Sequence, residues 1–300
     1  AHADGRFAKN FYSHGRMSMR PFCMNCLSGM IGSGRERQGG CAMTEEKYLI
    51  CEDSIEGVFT GIYDAYAFRE GHKHLHIQIG EEENFRLFAS YLHITPDLVK
   101  TRKVAETIQK RLGTDTYMSI CRALATEDAG KGQAVYQTVV DGITNGSGRR
   151  VLENSMNPYV DMVFRLSRCT ANEIHRLMEF IRFQELQQGI LYSKIGAKCN
   201  VVSFLMPHFA DRLPLENFII YDEKHELYGV HPAGKEWYLV SGIERKPEEE
   251  LVMSEKEEQY QELFTMFCQT IAIKERKNLK LQQQMLPLRF QEYMVEFVKK

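Results

Sequence analysis

The chain has 300 residues, of which 43% are hydrophobic and 26% are charged, and its formal net charge at pH 7 is −2. These values are typical of a globular protein, and the near-neutral charge excludes a protein that coats nucleic acid with its whole surface. No apolar run reaches the roughly 18 residues that span a bilayer, and no apolar segment follows the first basic residues as it would in a secretory signal. Most of the eight cysteines lie singly within apolar patterns. This usage is typical of reduced thiols and predicts a cytoplasmic protein.

Residues 1–42 differ from the rest of the chain, because they are rich in Gly, Ser, Arg and Met and show no sustained period. We predict a flexible extension outside the folded protein, which starts at Met43. The alternative is a small zinc site, since a Cys-x-x-Cys pair with another cysteine and a histidine nearby supplies four possible ligands. Those ligands would be Cys23, Cys26, Cys41 and His14. A lone Cys-x-x-Cys pair is weak support, so no metal site is predicted.

Residues 43–144 are predicted to form a β-α-β unit followed by helices. Two short segments, 47–51 and 75–79, have strand composition, and Asp53 is placed to cap a helix with apolar residues at helical spacing. Histidines at positions 72, 74 and 76 lie beside the second strand, but no acidic partner follows them closely, so we interpret them as a solvated edge. Thr95-Pro96 predicts the start of another helix. Further helical patterns cover about 115–125 and 131–143.

Residues 149–243 are predicted to combine helices with a small antiparallel meander. The loop at 145–148 precedes this unit. A capping-box pattern, Thr170-x-x-Glu173, predicts that a helix restarts there and continues to Gly189. A strand at 190–195 follows, then a helical run that Pro207 interrupts before a polar turn at 208–214. Segments 218–221, 226–230 and 236–240 have strand composition with polar turns between them.

Residues 244–300 are predicted to be an acidic linker and basic helices that pack on the central unit. Ser254-x-x-Glu257 marks a helix start, and Pro287 precedes a last amphipathic helix. The complete chain is therefore predicted to be an α+β protein, mainly helical, with a small antiparallel β meander.

The first polar cluster lies around the central helix and the turn after it. Its members are Arg176, Arg182, Gln184, Glu185, His208, Asp211 and Arg212. Phenylalanines at 180, 183 and 209 are interleaved with these charges. An arginine beside an aromatic face can stack a base or hold a phosphate, but it can equally be a structural arginine packed against a ring. Both interpretations stay open.

The second polar cluster is the most basic window of the folded chain. Its members are Lys274, Arg276, Lys277, Asn278, Lys280, Gln282 and Arg289. Such residues contact phosphates in nucleic-acid-binding proteins, and they also suit the solvated C-terminal end of a helix. The sequence alone does not separate these two explanations.

Standard catalytic and nucleotide-binding motifs are absent from the sequence: there is no GxSxG, HExxH, Walker motif or Rossmann fingerprint. No cofactor is therefore predicted. His208 and Asp211, one helical turn apart, are weak candidates for a general-base pair with Glu185 nearby. The alternative is that His208 and Asp211 fix the turn before Pro214.

Four stretches of the chain carry a resemblance to a known family: residues 48–66, 175–186, 207–214 and 270–282, with Pro287 after the last. In them the sequence resembles a bacterial family of DNA-metabolism or DNA-repair proteins whose biochemical function is unknown. The resemblance covers nearly everything from Met43 onward. This chain departs from the family pattern at Leu279, because the family usually has proline after the residue that matches Asn278.

The resemblance implies partners as much as an activity. Members of the family tend to accompany a radical-SAM protein assigned to DNA modification or repair, and some are fused to a domain like uracil-DNA glycosylase. This chain has no CxxxCxxC cluster motif of its own, so the chemistry is expected on the partner. The leading hypothesis is an accessory protein of DNA metabolism that binds nucleic acid or the radical-SAM partner. The alternatives are a nucleic-acid-processing enzyme and an interaction scaffold.

The leading hypothesis expects one contact surface for DNA. Its predicted residues are Arg176, Arg182, Arg212, Lys274, Arg276, Asn278, Gln282 and Arg289, together with His208.

Overall fold

A computed structural model of the chain describes residues 46–68, 71–80, 86–242 and 251–297. The prediction for residues 1–42, with the alternative zinc ligands Cys23, Cys26, Cys41 and His14, lies outside these residues. The described part is α+β and contains two β-sheets. The chain first forms a parallel sheet with helices around it, and then a mixed sheet on which the C-terminal segment lies.

The first sheet confirms the predicted β-α-β start and adds a strand. Its elements are β1 (Glu46–Cys51), α1 (Ile55–Ala65), β2 (Leu75–Ile79) and β3 (Ala89–Ile94). The strands are parallel in the order β2-β1-β3. The cap of α1 is Ser54, whose Oγ accepts a hydrogen bond from Gly57 N at 3.0 Å, so the assignment of the cap to Asp53 was wrong. The third strand was not predicted, because it mixes exposed and buried residues without clear alternation.

Helices cover the first sheet and close its core. They are α2 (Leu98–Leu112), α3 (Thr114–Leu124), α4 (Lys131–Ile143) and, after a 3₁₀ turn at Gly148–Glu153, α5 (Pro158–Phe180). Asp97 caps α2 through its side chain, so this helix starts slightly later than predicted from Thr95-Pro96. Gly113 has φ 95°, which allows α3 to follow α2 without a longer loop. Apolar residues on both sides of the predicted boundary at 144–149 belong to one core.

Helix α5 is continuous, so the predicted restart at Thr170 was wrong. The Oγ1 of Thr170 donates a hydrogen bond to Arg122 O at 2.9 Å, and Thr170 is buried against α3. Glu173 reaches the other way and accepts hydrogen bonds from the backbone N–H groups of Lys198 and Cys199. The helix ends at Phe180 and not at Gly189. Thr170 and Glu173 resemble a local helix cap in the sequence, but both form hydrogen bonds with residues far away in the chain.

The second sheet contains the predicted meander within a mixed arrangement. Its strands are β4 (Gln184–Glu185), β5 (Leu191–Ile195), β6 (Phe218–Asp222), β7 (Leu227–His231) and β8 (Tyr238–Ser241). The order is β4-β5-β6-β7-β8. Strands β6, β7 and β8 pair antiparallel as predicted, but β5 and β6 are parallel. A parallel pair needs a crossover, and α6 (Val202–Arg212) provides it.

Helix α6 lies closely against the second sheet. A Cβ at Gly229 of β7 would meet Met206 Sδ at 2.4 Å, so only glycine permits this approach. Pro207 lies inside the helix, and the segment 208–212 that was predicted to be a turn is its last turn of helix. The side chains of Leu205, Met206 and Phe209 face the sheet. His208, Asp211 and Arg212 therefore lie on the exposed side.

The C-terminal segment consists of α7 (Glu255–Ile271), α8 (Leu279–Met285) and α9 (Leu288–Gln291). Ser254 caps α7 as predicted, since its Oγ accepts a hydrogen bond from Glu257 N at 3.1 Å. The segment returns to the body at Phe290 and Met294, which are both buried. Two ion pairs also hold it there, Arg289–Glu173 at 2.7 Å and Arg182–Glu296 at 3.0 Å.

Candidate functional site

A cleft of about 430 Å³ opens where α5 ends and α6 turns toward the second sheet. We call it the α5–α6 cleft. Its lining residues are Met178, Glu179, Ile181, Arg182, Phe183, Leu191, His208, Phe209, Arg212 and Leu213. The break of α5 at Ile181 creates this space, because the chain leaves the helix axis and runs beside α6 into β4. The cleft thus joins the two stretches that carry the first polar cluster.

Aromatic rings form a rigid part of the cleft wall. The ring of Phe183 meets that of Phe209 edge to face at 5.3 Å between centroids, and meets Phe218 in the same way at 5.6 Å. Phe209 and Phe218 are buried, whereas Phe183 is half-buried and lines the cleft. Such edge-to-face contacts fix ring orientation. A flat apolar ligand would therefore meet a surface that is already ordered.

The cationic groups of the cleft differ in how they are held. Arg182 is anchored, because its Nη2 pairs with Glu296 Oε1 and its Nη1 donates to the carbonyl oxygens of Glu179 and Ile181. Arg212 and His208 lie one turn apart on the exposed side of α6. Within the described ranges, neither side chain has an ion pair or a hydrogen bond. Their donors are available to a ligand.

An acidic group also borders the cleft, but it is engaged by a neighbour. Glu179 Oε1 lies 3.2 Å from His175 Nε2, one turn earlier on α5. The Oε2 of Glu296 is buried without a hydrogen-bond partner in the part of the chain that the structure describes. Glu296 thus balances the charge of Arg182, whereas no carboxylate of the described residues forms an ion pair with Arg212.

The predicted nucleic-acid-binding residues separate into three groups. Arg182 and Arg212 line the cleft, and Arg176 is half-buried on α5 outside its lining. Arg289 is taken up by the ion pair with Glu173. The others, Arg276, Asn278 and Gln282, are exposed around α8 and do not line the cleft, and Asn278 Oδ1 caps α8 by accepting from Leu281 N at 3.0 Å. The side chain of Lys274 lies outside the described residues.

The weak catalytic candidates are not assembled into one constellation. His208 lines the cleft, whereas Asp211 is exposed on α6 outside the lining. Glu185 belongs to β4, and its backbone N–H donates to Glu257 Oε2 at 3.2 Å. Among the residues described, no hydrogen bond joins any two of these three side chains. The alternative role of fixing a turn also lacks support, since His208 and Asp211 are helical.

A second polar group was missed, although its histidines were noticed in the sequence. Glu46 of β1 supplies the acidic partner: its Oε1 lies 2.9 Å from His74 Nδ1 and its Oε2 lies 2.7 Å from His76 Nε2. These hydrogen bonds, with His74 first, lower the pKa of Glu46. Parallel pairing of β1 with β2 brings Glu46 close to both histidines, although His74 is 28 and His76 is 30 residues further along the chain. Sequence proximity gave no signal for this contact.

This group lies in a second cleft, of about 450 Å³, which also contains Tyr48 and Arg86. The ring of Tyr48 stacks on His76 at 4.8 Å, and Arg86 Nη1 donates to the Tyr48 hydroxyl at 2.7 Å. In the described ranges, no three acidic, histidine or cysteine side chains have the geometry of a metal site. The cleft lies at the amino ends of the parallel strands, whereas ligands of parallel sheets bind at the carboxyl ends. We therefore favour the α5–α6 cleft.

An aspartate–histidine pair in the β6–β7 turn was also missed. Asp222 is fully buried, and its Oδ2 lies 2.7 Å from His225 Nδ1, while its Oδ1 accepts from Lys224 N at 3.2 Å. The side chain of Lys224 forms an ion pair with Glu127 at 2.7 Å. These contacts shape a hairpin turn and tie it to the loop that follows α3, which is a structural role.

Comparison with known protein families gives a match. Residues 129–296 match the profile of DUF4130, described as a domain of unknown function. The match covers more than half of the chain and includes the complete α5–α6 cleft. No curated protein matches the sequence. In the residues that the structure describes, no helix combines the length and the apolar character that crossing a membrane requires.

Proposed function

The chain belongs to the DUF4130 family, and we propose that it is an accessory protein of DNA metabolism that binds nucleic acid in the α5–α6 cleft. One observation carries the proposal: two guanidinium groups and an imidazole lie around an ordered aromatic wall in one cleft. Base stacking on aromatic rings and phosphate contact by arginine are the two interactions that single-stranded nucleic acids use.

The two arginines suit different tasks in this proposal. Arg182 is held by Glu296 and by two backbone carbonyls, so its guanidinium is fixed in the cleft that Phe183 also lines and can pack against a base. Arg212 is exposed and uncompensated within the described chain, so it is suited to a phosphate oxygen. The cleft's size fits an unstacked nucleotide better than an intact duplex. We therefore expect preference for single-stranded or frayed DNA.

The radical-SAM partner implied by the family resemblance belongs to the same proposal. The side chains of His208, Asp211 and Glu185 are not joined by hydrogen bonds, which favours a binding role over a general-base reaction on this chain. In this arrangement the protein presents a DNA strand and the partner supplies the chemistry.

Fluorescence anisotropy with short single-stranded, duplex and uracil-containing DNA, over a salt series, tests direct binding. Arg212→Ala is expected to weaken single-strand binding roughly tenfold and to reduce the salt slope by about 1, because one phosphate contact is lost. Phe183→Leu is expected to weaken binding with the salt slope unchanged, because stacking releases no counterions.

The matched control is Arg165→Ala. Arg165 is an exposed arginine on α5 that pairs with Asp161 at 2.8 Å, and the change removes the same charge outside the cleft. Equal weakening by Arg165→Ala and Arg212→Ala would mean that only net charge matters, and the proposal would fail. It would also fail if Arg276→Ala flattened the salt slope while Arg212→Ala did not, because binding would then belong to the segment around α8.

A further inference from the structure

One histidine ring in the second cleft is held on one side by a carboxylate and is open on the other. This cleft, of about 450 Å³, lies against β1 and β2, and we call it the β1–β2 cleft. His74 lines it, and the Nδ1 of His74 lies 2.9 Å from Glu46 Oε1. Within the described ranges, no hydrogen bond or ion pair reaches His74 Nε2. This nitrogen is therefore available to a ligand.

Strand pairing, and not a loop, sets the position of this polar group. Leu49 of β1 and Leu75 of β2 belong to the core on one face of the first sheet. Because successive side chains of a strand point to opposite faces, Glu46 and Tyr48 lie on the other face. His76 is the register partner of Tyr48 and lies on that face as well. The cleft is thus bordered by side chains that the sheet holds in place.

A hydrogen bond from α4 fixes the proton positions of both imidazoles. Ile77 N donates to Gln133 Oε1 at 2.8 Å, so the amide nitrogen of Gln133 is the group that faces His76 Nδ1, at 3.4 Å. Because that amide nitrogen is a donor, the proton of His76 lies on Nε2, which donates to Glu46 Oε2 at 2.7 Å. A carboxylate only accepts, so His74 Nδ1 is a donor too. In the neutral ring of His74, Nε2 is therefore an acceptor.

The remaining lining groups favour an anion and leave no ring face for a base. Lys73 and Arg86 line the cleft, and Lys73 is exposed without an ion pair to any described residue. Glu46 is the carboxylate among the described lining residues, and both of its oxygens are taken by the histidines. The Tyr48 ring is stacked at 4.8 Å and 5.3 Å by its neighbours on the strands to either side. A ligand of this cleft is thus recognised by its charge and not by stacking.

These groups suit a ligand that is negatively charged and still carries a proton. The cations attract the charge, and the neutral Nε2 of His74 accepts a hydrogen bond from an O–H group. A phosphate monoester meets both conditions near neutral pH, because its second pKa is about 6. A phosphodiester or a carboxylate is fully ionised there and has no O–H group to donate. If the proton moves to His74, Nε2–H donates to the dianion, so one proton joins the two groups in either case.

We propose that the β1–β2 cleft binds a small phosphate monoester, with His74 Nε2 and Lys73 Nζ as its contacts. Phosphate sites of parallel sheets commonly use helix N-termini at the carboxyl ends of the strands. The β1–β2 cleft lies at the amino ends, so side chains supply the donors instead. This binding is independent of nucleic-acid binding in the α5–α6 cleft.

NMR spectra of the histidine ring nitrogens test the arrangement in the wild-type chain. At pH 7.5, His74 is expected to carry its proton on Nδ1 and His76 on Nε2. Ribose 5-phosphate is expected to shift the ring signals of His74, whereas ribose is not. Dimethyl phosphate is expected to bind at least about tenfold more weakly, because it lacks the O–H group. The signals of His208 report separately on the α5–α6 cleft.

An asparagine variant separates the open ring nitrogen from the bonded one. In His74→Asn, the side-chain amide can take the place of Nδ1 beside Glu46, but no atom takes the place of Nε2. Its affinity for ribose 5-phosphate, measured by calorimetry, is expected to fall at least about tenfold with an unchanged circular dichroism spectrum. The control is His93→Asn, an exposed histidine of β3 outside the lining. Lys73→Ala is expected to weaken binding about tenfold, and Lys110→Ala, on the exposed side of α2, is expected not to.

Three results would overturn the proposal. One is a titration with ribose 5-phosphate that leaves the His74 signals unchanged, whether or not those of His208 move. Another is an equal affinity of His74→Asn and His93→Asn for the ester. The third is dimethyl phosphate that binds as tightly as ribose 5-phosphate, because the O–H group would then play no part.

Discussion

Helices α3 and α7 carry the same apolar spacing and have opposite surroundings. In α3, four apolar residues at i, i+3, i+4 and i+7 are at most 6% exposed: Tyr117, Ile120, Cys121 and Leu124. In α7, the residues with this spacing are at least 41% exposed: Tyr260, Leu263, Phe264 and Phe267. The period of a helix therefore identifies the face that must be covered. It does not identify what covers it, because α3 is buried by other described elements, whereas no residue of α7 is buried in the part of the chain that the structure describes.

The largest expected effect is a difference in stability between a truncation in α3 and a truncation in α7. Ile120→Ala is expected to reduce the free energy of unfolding by about 2–5 kcal/mol, because it leaves a cavity in a fully buried site. Leu263→Ala is expected to change it by no more than about 0.5 kcal/mol, because Leu263 is 60% exposed. Urea denaturation followed by circular dichroism measures both values. Similar losses for the two changes would mean that α7 is covered by its own chain.

A smaller loss of stability is expected when the ion pair between the C-terminal segment and α5 is removed. Arg289→Ala removes the ion pair with Glu173, while the carboxylate keeps its two backbone donors. The expected loss is about 1–2 kcal/mol, with faster proteolysis after residue 286 and unchanged DNA affinity. Arg276→Ala, a nearby exposed arginine, is the control and is expected to leave proteolysis unchanged. If Arg289→Ala lost DNA affinity and Arg276→Ala did not, Arg289 would be a DNA-contacting residue, as the sequence predicted.

The pH dependence of stability tests the first sheet. The pKa of Glu46 is lowered from its ordinary value of 4.5 by hydrogen bonds with His74 and His76. Its contribution to stability is therefore present above pH 4.5 and is lost as the pH falls through the lower pKa of the folded state. In Glu46→Gln, the free energy of unfolding is expected to fall less on acidification, because the titrating carboxyl group is absent. Urea denaturation midpoints at neutral and acidic pH measure this change in stability. Glu106→Gln, on the exposed side of α2, is the control. If Glu46→Gln loses as much stability in acid as the wild type does, the pairing of Glu46 with the two histidines is contradicted.

The last prediction involves reactivity and no change in stability. Burial is the main cause that raises the pKa of Cys51, Cys121 and Cys199, each to about 12. Because the thiolate is the reactive form, these three thiols are expected to react only after unfolding. Cys169 is exposed and is expected to react in the native protein. Alkylation in native and denaturing buffer, followed by peptide mass spectrometry, locates the labelled sites; rapid native labelling of Cys121 would contradict the packing around α3.

Much of the local structure was predictable because local interactions decide it. Ser254 and the glutamate three residues later predict the start of α7, and a hydroxyl–amide contact within one turn confirms it. The strands β6, β7 and β8 follow from strand composition between polar turns. The candidate site was predicted in part: Arg182, His208 and Arg212 meet in one cleft, although the segment 208–212 is helical and not a turn.

The remaining features depend on contacts between residues that are distant in the chain. Glu173 fits a capping box in the sequence, yet it is buried and binds Lys198, Cys199 and Arg289. Glu46 meets His74 and His76 only because β1 and β2 pair in parallel. The sequence by itself determined the start of α7 and the strands of the meander, since caps and turns form within a few residues. Only the tertiary structure decided which polar groups meet and which apolar faces are covered, because burial depends on how separate elements pack.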